Sequence, residues 1–138
     1  MRCGRLVQSG RRLRTRQRLG VAQALKARNL AGKVYLSGLD ADPANLRLIA
    51  DGVQTMSVWT DLDAQGAAAV KAAMALARKQ KPSIATSAVD IGAGPVPTHL
   101  VNVVAVTRDN LCKFVTKDAP KGWVTVEQVY PDGAASCK

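Results

Sequence analysis

From residue 21 to residue 130, segments of helical composition alternate with short β-rich runs. No other feature of the chain restricts its fold as strongly. Such alternation builds an α/β sheet, mostly parallel, with helices packed across its faces. The first helical segment carries Val21, Ala24, Leu25 and Ala27, and Gly32 offers the permissive backbone that ends helices. Residues 33–37 form the first β-rich run, and Gly38 follows it. Asp42 can cap a second helix, with Pro43 at its first position and Gly52 at its end. Residues 53–59 alternate as a second strand. After Asp61 an Ala-rich stretch runs to Gln80, and its composition makes it the strongest helix in the chain. Val70, Ala73, Met74 and Ala77 give it an apolar stripe. Pro82 stops it. Residues 84–89 and 100–106 are further strand candidates, separated by turn chemistry at 90–97, where two glycines and two prolines fall in eight residues. Thr107 can cap a helix through Leu111, Phe114 and Val115, and residues 123–130 alternate as a final strand.

The length of 138 residues suits one domain with a modest core, and 47% hydrophobic residues argue against a disordered chain. No apolar run approaches the ~18 residues that a membrane-spanning helix requires. The net charge of +10 is unevenly placed: residues 1–20 hold seven arginines and no acid, whereas the remaining 118 residues hold 13 Lys/Arg against 10 Asp/Glu. The chain therefore reads as a basic leader, residues 1–20, disordered or unrelated to the rest, and a nearly balanced domain, residues 21–138. A basic arm can hold phosphates by releasing counterions, but a solvated arm is the simpler reading. With aromatics at 4%, no stacking surface for nucleic acid is expected, and nucleic acid is not an expected partner. The leader lacks the apolar segment of a secretory signal peptide.

The inventory for chemistry is thin. Cys3, Cys112 and Cys137 form no C-x-x-C pair and His99 is the single histidine, so neither a zinc site nor any other metal or cofactor is expected. Cys112 and Cys137, 25 residues apart, are either a disulfide formed in an oxidising compartment or two unrelated thiols. There is no Gly-x-Ser-x-Gly and no phosphate loop. Ile91-Gly-Ala-Gly-Pro95 leads into proline rather than a helix, and Asp90 and His99 flank no nucleophile. An enzyme is not expected. In open α/β sheets, ligands bind beyond the carboxyl ends of strands, which selects the loops at 38–42 and 59–63, with Asp40 and Thr60.

Lys33-Val-Tyr-Leu-Ser-Gly-Leu-Asp-Ala-Asp42, then Val53-Gln-Thr-Met-Ser-Val-Trp59, and later Pro97-Thr-His-Leu-Val-Asn-Val-Val-Ala-Val-Thr-Arg-Asp-Asn110, resemble the C-terminal part of type I periplasmic sugar-binding proteins, the xylose-binding branch above all. The resemblance spans about residues 21–130 and implies part of a periplasmic-binding-protein type I (Rossmann-like) lobe. It further implies two lobes that close by hinge motion on a monosaccharide such as D-xylose, and a membrane permease of an ABC-type importer as partner. The location implied is the periplasm or cell surface. Asp40 matches the family's ligand-contacting aspartate, a residue type that can accept from two adjacent hydroxyls at once. Asp42 matches the motif's second aspartate and suits a helix cap. Thr60 stands where the xylose branch has lysine, which leaves the sugar open. Trp59 either lines the cleft or fills the core at a strand end. The asparagine of the family's Ala-Asn-Asp turn falls on Arg14, so the leader replaces that turn and is expected to be out-of-frame or unrelated sequence. The resemblance accounts for roughly the last third of such a protein. Weak or no sugar binding alone is therefore expected, as is self-association through an exposed sheet edge. The alternative is the sugar-sensing body of a lactose-repressor-type regulator, but residues 1–20 are too short for its DNA-binding helices.

Overall fold

The computed structural model describes residues 15–133 and Cys137. Its elements are α1 (Thr15–Ala27), β1 (Ser37–Leu39), α2 (Pro43–Ala50), β2 (Met56–Thr60), α3 (Leu62–Ala77), β3 (Ser87–Asp90), β4 (Pro95–Thr98), β5 (Val103–Thr107), α4 (Arg108–Lys113) continued by a π-helical turn (Phe114–Asp118), and α5 (Val126–Val129). The chain divides into two compact units, Met1–Trp59 with Val104–Lys138, and Thr60–Val103.

A three-stranded sheet of order β1–β2–β5 organises the first unit. β1 runs parallel to β2, with Ser37 opposite Met56 and Leu39 opposite Val58. A parallel pair needs a crossover, and α2 supplies it. The local chemistry of α2 explains its start: the Asp42 carboxylate accepts from the Asn45 N–H at 2.9 Å, and Pro43 occupies the first turn, where its missing N–H costs nothing. The helix then sends Leu46 and Ile49, one turn apart, into a core with Val106, Leu111, Phe114 and Val129. Leu48 points to a second, smaller cluster with Ala22, Leu36 and Val53. Past the end of α2, Gly52 adopts φ +71°, and its carbonyl lies 3.0 Å from where a Cβ on Gly32 would sit. Gly32 itself has φ +72°, so both backbone conformation and close approach require glycine there.

The second unit holds α3 and the antiparallel β3–β4 pair, in which Asp90 faces Pro95. Asp61 caps α3 by accepting from the Ala64 N–H. The stripe expected on this helix is present but uncovered: no α3 residue is buried, and Val70 and Met74 are 58% and 50% exposed.

Several boundaries differ from expectation: β2, β3 and β5 each begin three residues later than expected, at Met56, Ser87 and Val103. Within residues 123–130, expected to be a strand, Val126–Val129 form a helical turn, α5. Thr125 and Gln128 make a reciprocal capping box, and the apolar pair Val126 and Val129 follows helical spacing. Residues 95–97, expected to be turn, form β4 together with Thr98. Only 91–94 turn, with the Asp90 carboxylate accepting from the Gly92 and Gly94 N–H groups. Both prolines fit because a two-stranded ribbon leaves open edges that need no donor. β1 begins at Ser37 rather than Lys33, since the Leu36 N–H donates to the Thr55 side chain rather than into the ladder. Finally, α1 begins at Thr15, inside the stretch set apart by its charge.

Candidate functional site

The carboxyl end of β1 carries an unusual turn. Asp40 has φ +76° and Ala41 φ +45°, both in the left-handed region. Asp tolerates that region through its short polar side chain, but for alanine it costs on the order of 1–2 kcal/mol. Such strain persists only where neighbouring groups over-determine it. Here the Asp40 N–H donates to the Val58 carbonyl at 2.7 Å. The Ala41 N–H donates to Ser57 Oγ at 3.1 Å, in a buried setting. The Ala41 carbonyl accepts from Trp123 Nε1 at 3.1 Å, across 82 residues of sequence. Ala41 is fully buried while Asp40, one residue before it, is exposed. Asp42 then caps α2, and its carboxylate also accepts from the Asn45 side-chain amide at 2.7 Å. The turn thus lifts one carboxylate out of the sheet's edge and anchors the next in a helix cap.

The other sequence candidates are distributed as follows. Trp59 is 8% exposed and packs edge-on to Phe114, with ring centroids 5.6 Å apart, and to Trp123 at 6.4 Å. The core alternative for Trp59 is the one this burial fits. Among the described residues its indole nitrogen is a buried polar atom without a hydrogen-bond partner, as is Gln54 Oε1. Thr60 ends β2, is half-buried, and opens the second unit. Cys112 and Cys137 form a disulfide with Cα atoms 5.2 Å apart. It closes a loop that contains Trp123 and α5. Arg14 and Cys3 lie outside the described residues.

His99 is exposed, with Nδ1 2.7 Å from the Ile84 carbonyl, and Asp90 serves its own turn. Among the described residues no group of His, Cys, Asp and Glu side chains is arranged to hold a metal. A cavity of about 460 Å³ lies wholly within the second unit, with Ala68, Ala69, Ala72, Pro82 and Val101 in its apolar wall and Lys81 and His99 among its few polar groups. Its small apolar lining suits packed side chains better than sugar hydroxyls, which need buried polar partners. Elsewhere, burial pushes the Tyr130 hydroxyl above its ordinary pKa, partly offset by the Arg108 charge. The Glu127 carboxyl is held low by its own backbone N–H and by Thr125.

Sequence reasoning missed Trp123 and Ser57 as parts of this turn. A signal for Trp123 existed: a tryptophan packed into a core still needs an acceptor for its N–H.

Residues 13–81, half of the chain, match the family model described as periplasmic binding protein domain. The chain belongs to that family, in its type I sugar-binding branch. The match begins at residue 13, within the basic leader. Among individual proteins, the chain is 36% identical over 111 residues to a D-xylose-binding periplasmic protein of Haemophilus influenzae, covering 80% of this chain and 32% of that one. It is 37% identical over 99 residues to the protein of the same description in Escherichia coli, covering 72% and 30%. In structure it resembles a carbohydrate transporter solute binding protein from Chloroflexus aurantiacus solved in complex with D-glucose, with TM-score 0.64 and 31% identity over 78% of this chain and 31% of that one. It also resembles an ABC transporter solute binding protein from Clostridium phytofermentans with bound β-D-glucose, with TM-score 0.61 and 27% identity over 82% of this chain and 34% of that one. The chain spans about a third of the length of the curated relatives it matches.

Proposed function

We propose that this chain is the sugar-contacting part of the solute-binding component of an ABC-type importer. It binds a monosaccharide such as D-xylose or D-glucose noncovalently through Asp40 and hands it to a membrane permease outside the cytoplasm. The observation that carries this reading is the exposed Asp40 carboxylate on a latched turn at the carboxyl end of a parallel strand. That is where α/β sheets recruit ligands. The relatives' D-xylose and D-glucose support the substrate class. No covalent step is involved, and the work is done by pairing sugar hydroxyls with protein groups.

The chain acts as one portion of a clamshell whose remaining portion closes over the opposite sugar face. Two observations favour this: the chain spans about a third of its relatives, and α3 has no buried residue, with Val70 and Met74 of its apolar stripe exposed among the described residues. With one sugar face in water, each hydrogen bond competes with solvent and adds little. Affinity of the chain by itself is therefore weak.

Calorimetric titration with D-xylose, D-ribose and D-glucose, together with amide chemical-shift mapping at millimolar sugar, tests the reading. Shifts centred on Asp40, lost in Asp40→Asn, with no micromolar heat signal, are expected. Micromolar binding by this chain alone overturns the half-clamshell reading, and sugar-dependent shifts absent from the Asp40 turn overturn the assignment of the site.

A further inference from the structure

We infer that Trp123 is a positioning residue for the sugar-facing carboxylate: its indole N–H latches the left-handed Asp40–Ala41 turn and thereby sets how Asp40 is presented. This inference rests on the reading of Asp40 as a sugar contact. Two consecutive non-glycine residues with positive φ do not stay there unaided. Both bonds from β2 act on N–H groups, Asp40 to Val58 and Ala41 to Ser57. Neither restrains the carbonyl of Ala41, the group that decides whether the peptide plane leading into α2 keeps its orientation. Among the described residues, the hydrogen bond that holds that carbonyl comes from Trp123 Nε1, at 3.1 Å. Ala41 is fully buried, so no solvent molecule can readily replace the indole.

Trp123 is itself well seated. Its ring meets Trp59 edge-on at 80°, and its backbone N–H donates to the Pro120 carbonyl at 3.0 Å. Packing alone would be satisfied by phenylalanine, and the indole nitrogen adds only the latch. Trp59 is the contrast, since that indole, a ring away in the same core, finds no acceptor among the described residues.

The test is Trp123→Phe, which keeps an aromatic ring and removes the donor, with Val129→Ala as a variant that loosens the same core without touching the turn. Amide spectra and hydrogen exchange are recorded for the whole chain, followed by D-xylose and D-glucose titrations read at the Asp40 amide. In Trp123→Phe the Asp40 and Ala41 amides are expected to shift and to exchange at least tenfold faster than in Val129→Ala, and the sugar dissociation constant to rise about tenfold. Val129→Ala is expected to lower the melting temperature and leave the Asp40 and Ala41 shifts and the sugar affinity unchanged. Unchanged amides in Trp123→Phe overturn the latch. Loosened amides with unchanged sugar affinity overturn the positioning role. A parent chain whose Asp40 amide ignores both sugars instead overturns the sugar reading, and the latch is then decided by the exchange data alone.

Discussion

Cutting the Cys112–Cys137 bond removes a constraint whose size follows from the loop it closes. The two cysteines are 25 residues apart. For a loop of that length, the chain-entropy relation assigns the cross-link about 3.5 kcal/mol of stability at 25 °C. A domain of this size has only about 5–15 kcal/mol in total, so the bond is a large share. The loop also carries Val124 and Val129 into the core that Phe114 and Leu46 occupy. Freeing one end therefore lets a packed segment fray as well as enlarging the unfolded ensemble. The assay is guanidinium unfolding followed by tryptophan fluorescence, with and without reductant, for the parent chain and for a Cys112→Ser/Cys137→Ser variant. Reduction is expected to lower the parent's midpoint to that of the variant, with the slope little changed, and to leave the variant unaffected. A stability loss below ~1 kcal/mol on reduction would refute the reasoning. So would alkylation of both thiols in the native, unreduced protein. The bond also fits a chain that matures in an oxidising compartment.

Phe114→Ala removes a fully buried ring and is expected to cost about 3–5 kcal/mol, visible as a lowered melting temperature. Gly32→Ala meets both a positive φ and the Gly52 carbonyl, and should cost at least ~1–2 kcal/mol. Gly66→Ala, in α3 with open space around its Cβ, should instead stabilise by roughly 0.5–1 kcal/mol in the same melting experiment. Trp59→Phe discards an indole N–H that has no partner among the described residues, so relief of that penalty offsets lost volume and stability should stay within ~1 kcal/mol of the parent in urea unfolding. Tyr130 has a folded pKa above the ordinary 10.0, so its proton is held more tightly folded than unfolded. Its contribution is complete below the ordinary value and disappears as pH climbs through the raised one. Tyr130→Phe should therefore flatten the alkaline limb of stability against pH, and an unchanged limb would assign that loss to other groups.

The parts of the fold that were legible are those that neighbouring residues decide. Asp42, Pro43 and Gly52 specify the start and stop of α2 within ten residues, and Asp61 announces α3 in the same way. The start of β1 was not legible, because a threonine side chain 19 residues away takes the Leu36 donor out of the ladder. At residues 123–130 two local signals competed. Period-two alternation suggested a strand, while Thr125-Val-Glu-Gln128 held a capping box, and the box prevailed because Val126 and Val129 also pack at helical spacing. The candidate site divides in the same manner. Asp40 stood out from its motif and its place after a strand, yet nothing near it in sequence indicates that its turn is left-handed or that an indole far down the chain restrains it.

That long tether has a consequence for biosynthesis. Asp40 leaves the ribosome well before Trp123, 82 residues after Ala41, has been added. At ordinary elongation rates the interval is roughly 4–16 s. Before it ends, β1, its partner β2 and the helix between them have all been synthesised, while the peptide that follows Asp40 still lacks its bolt. A translation product ending before residue 123 would carry every residue of the Asp40 motif and still not shape the turn that displays it.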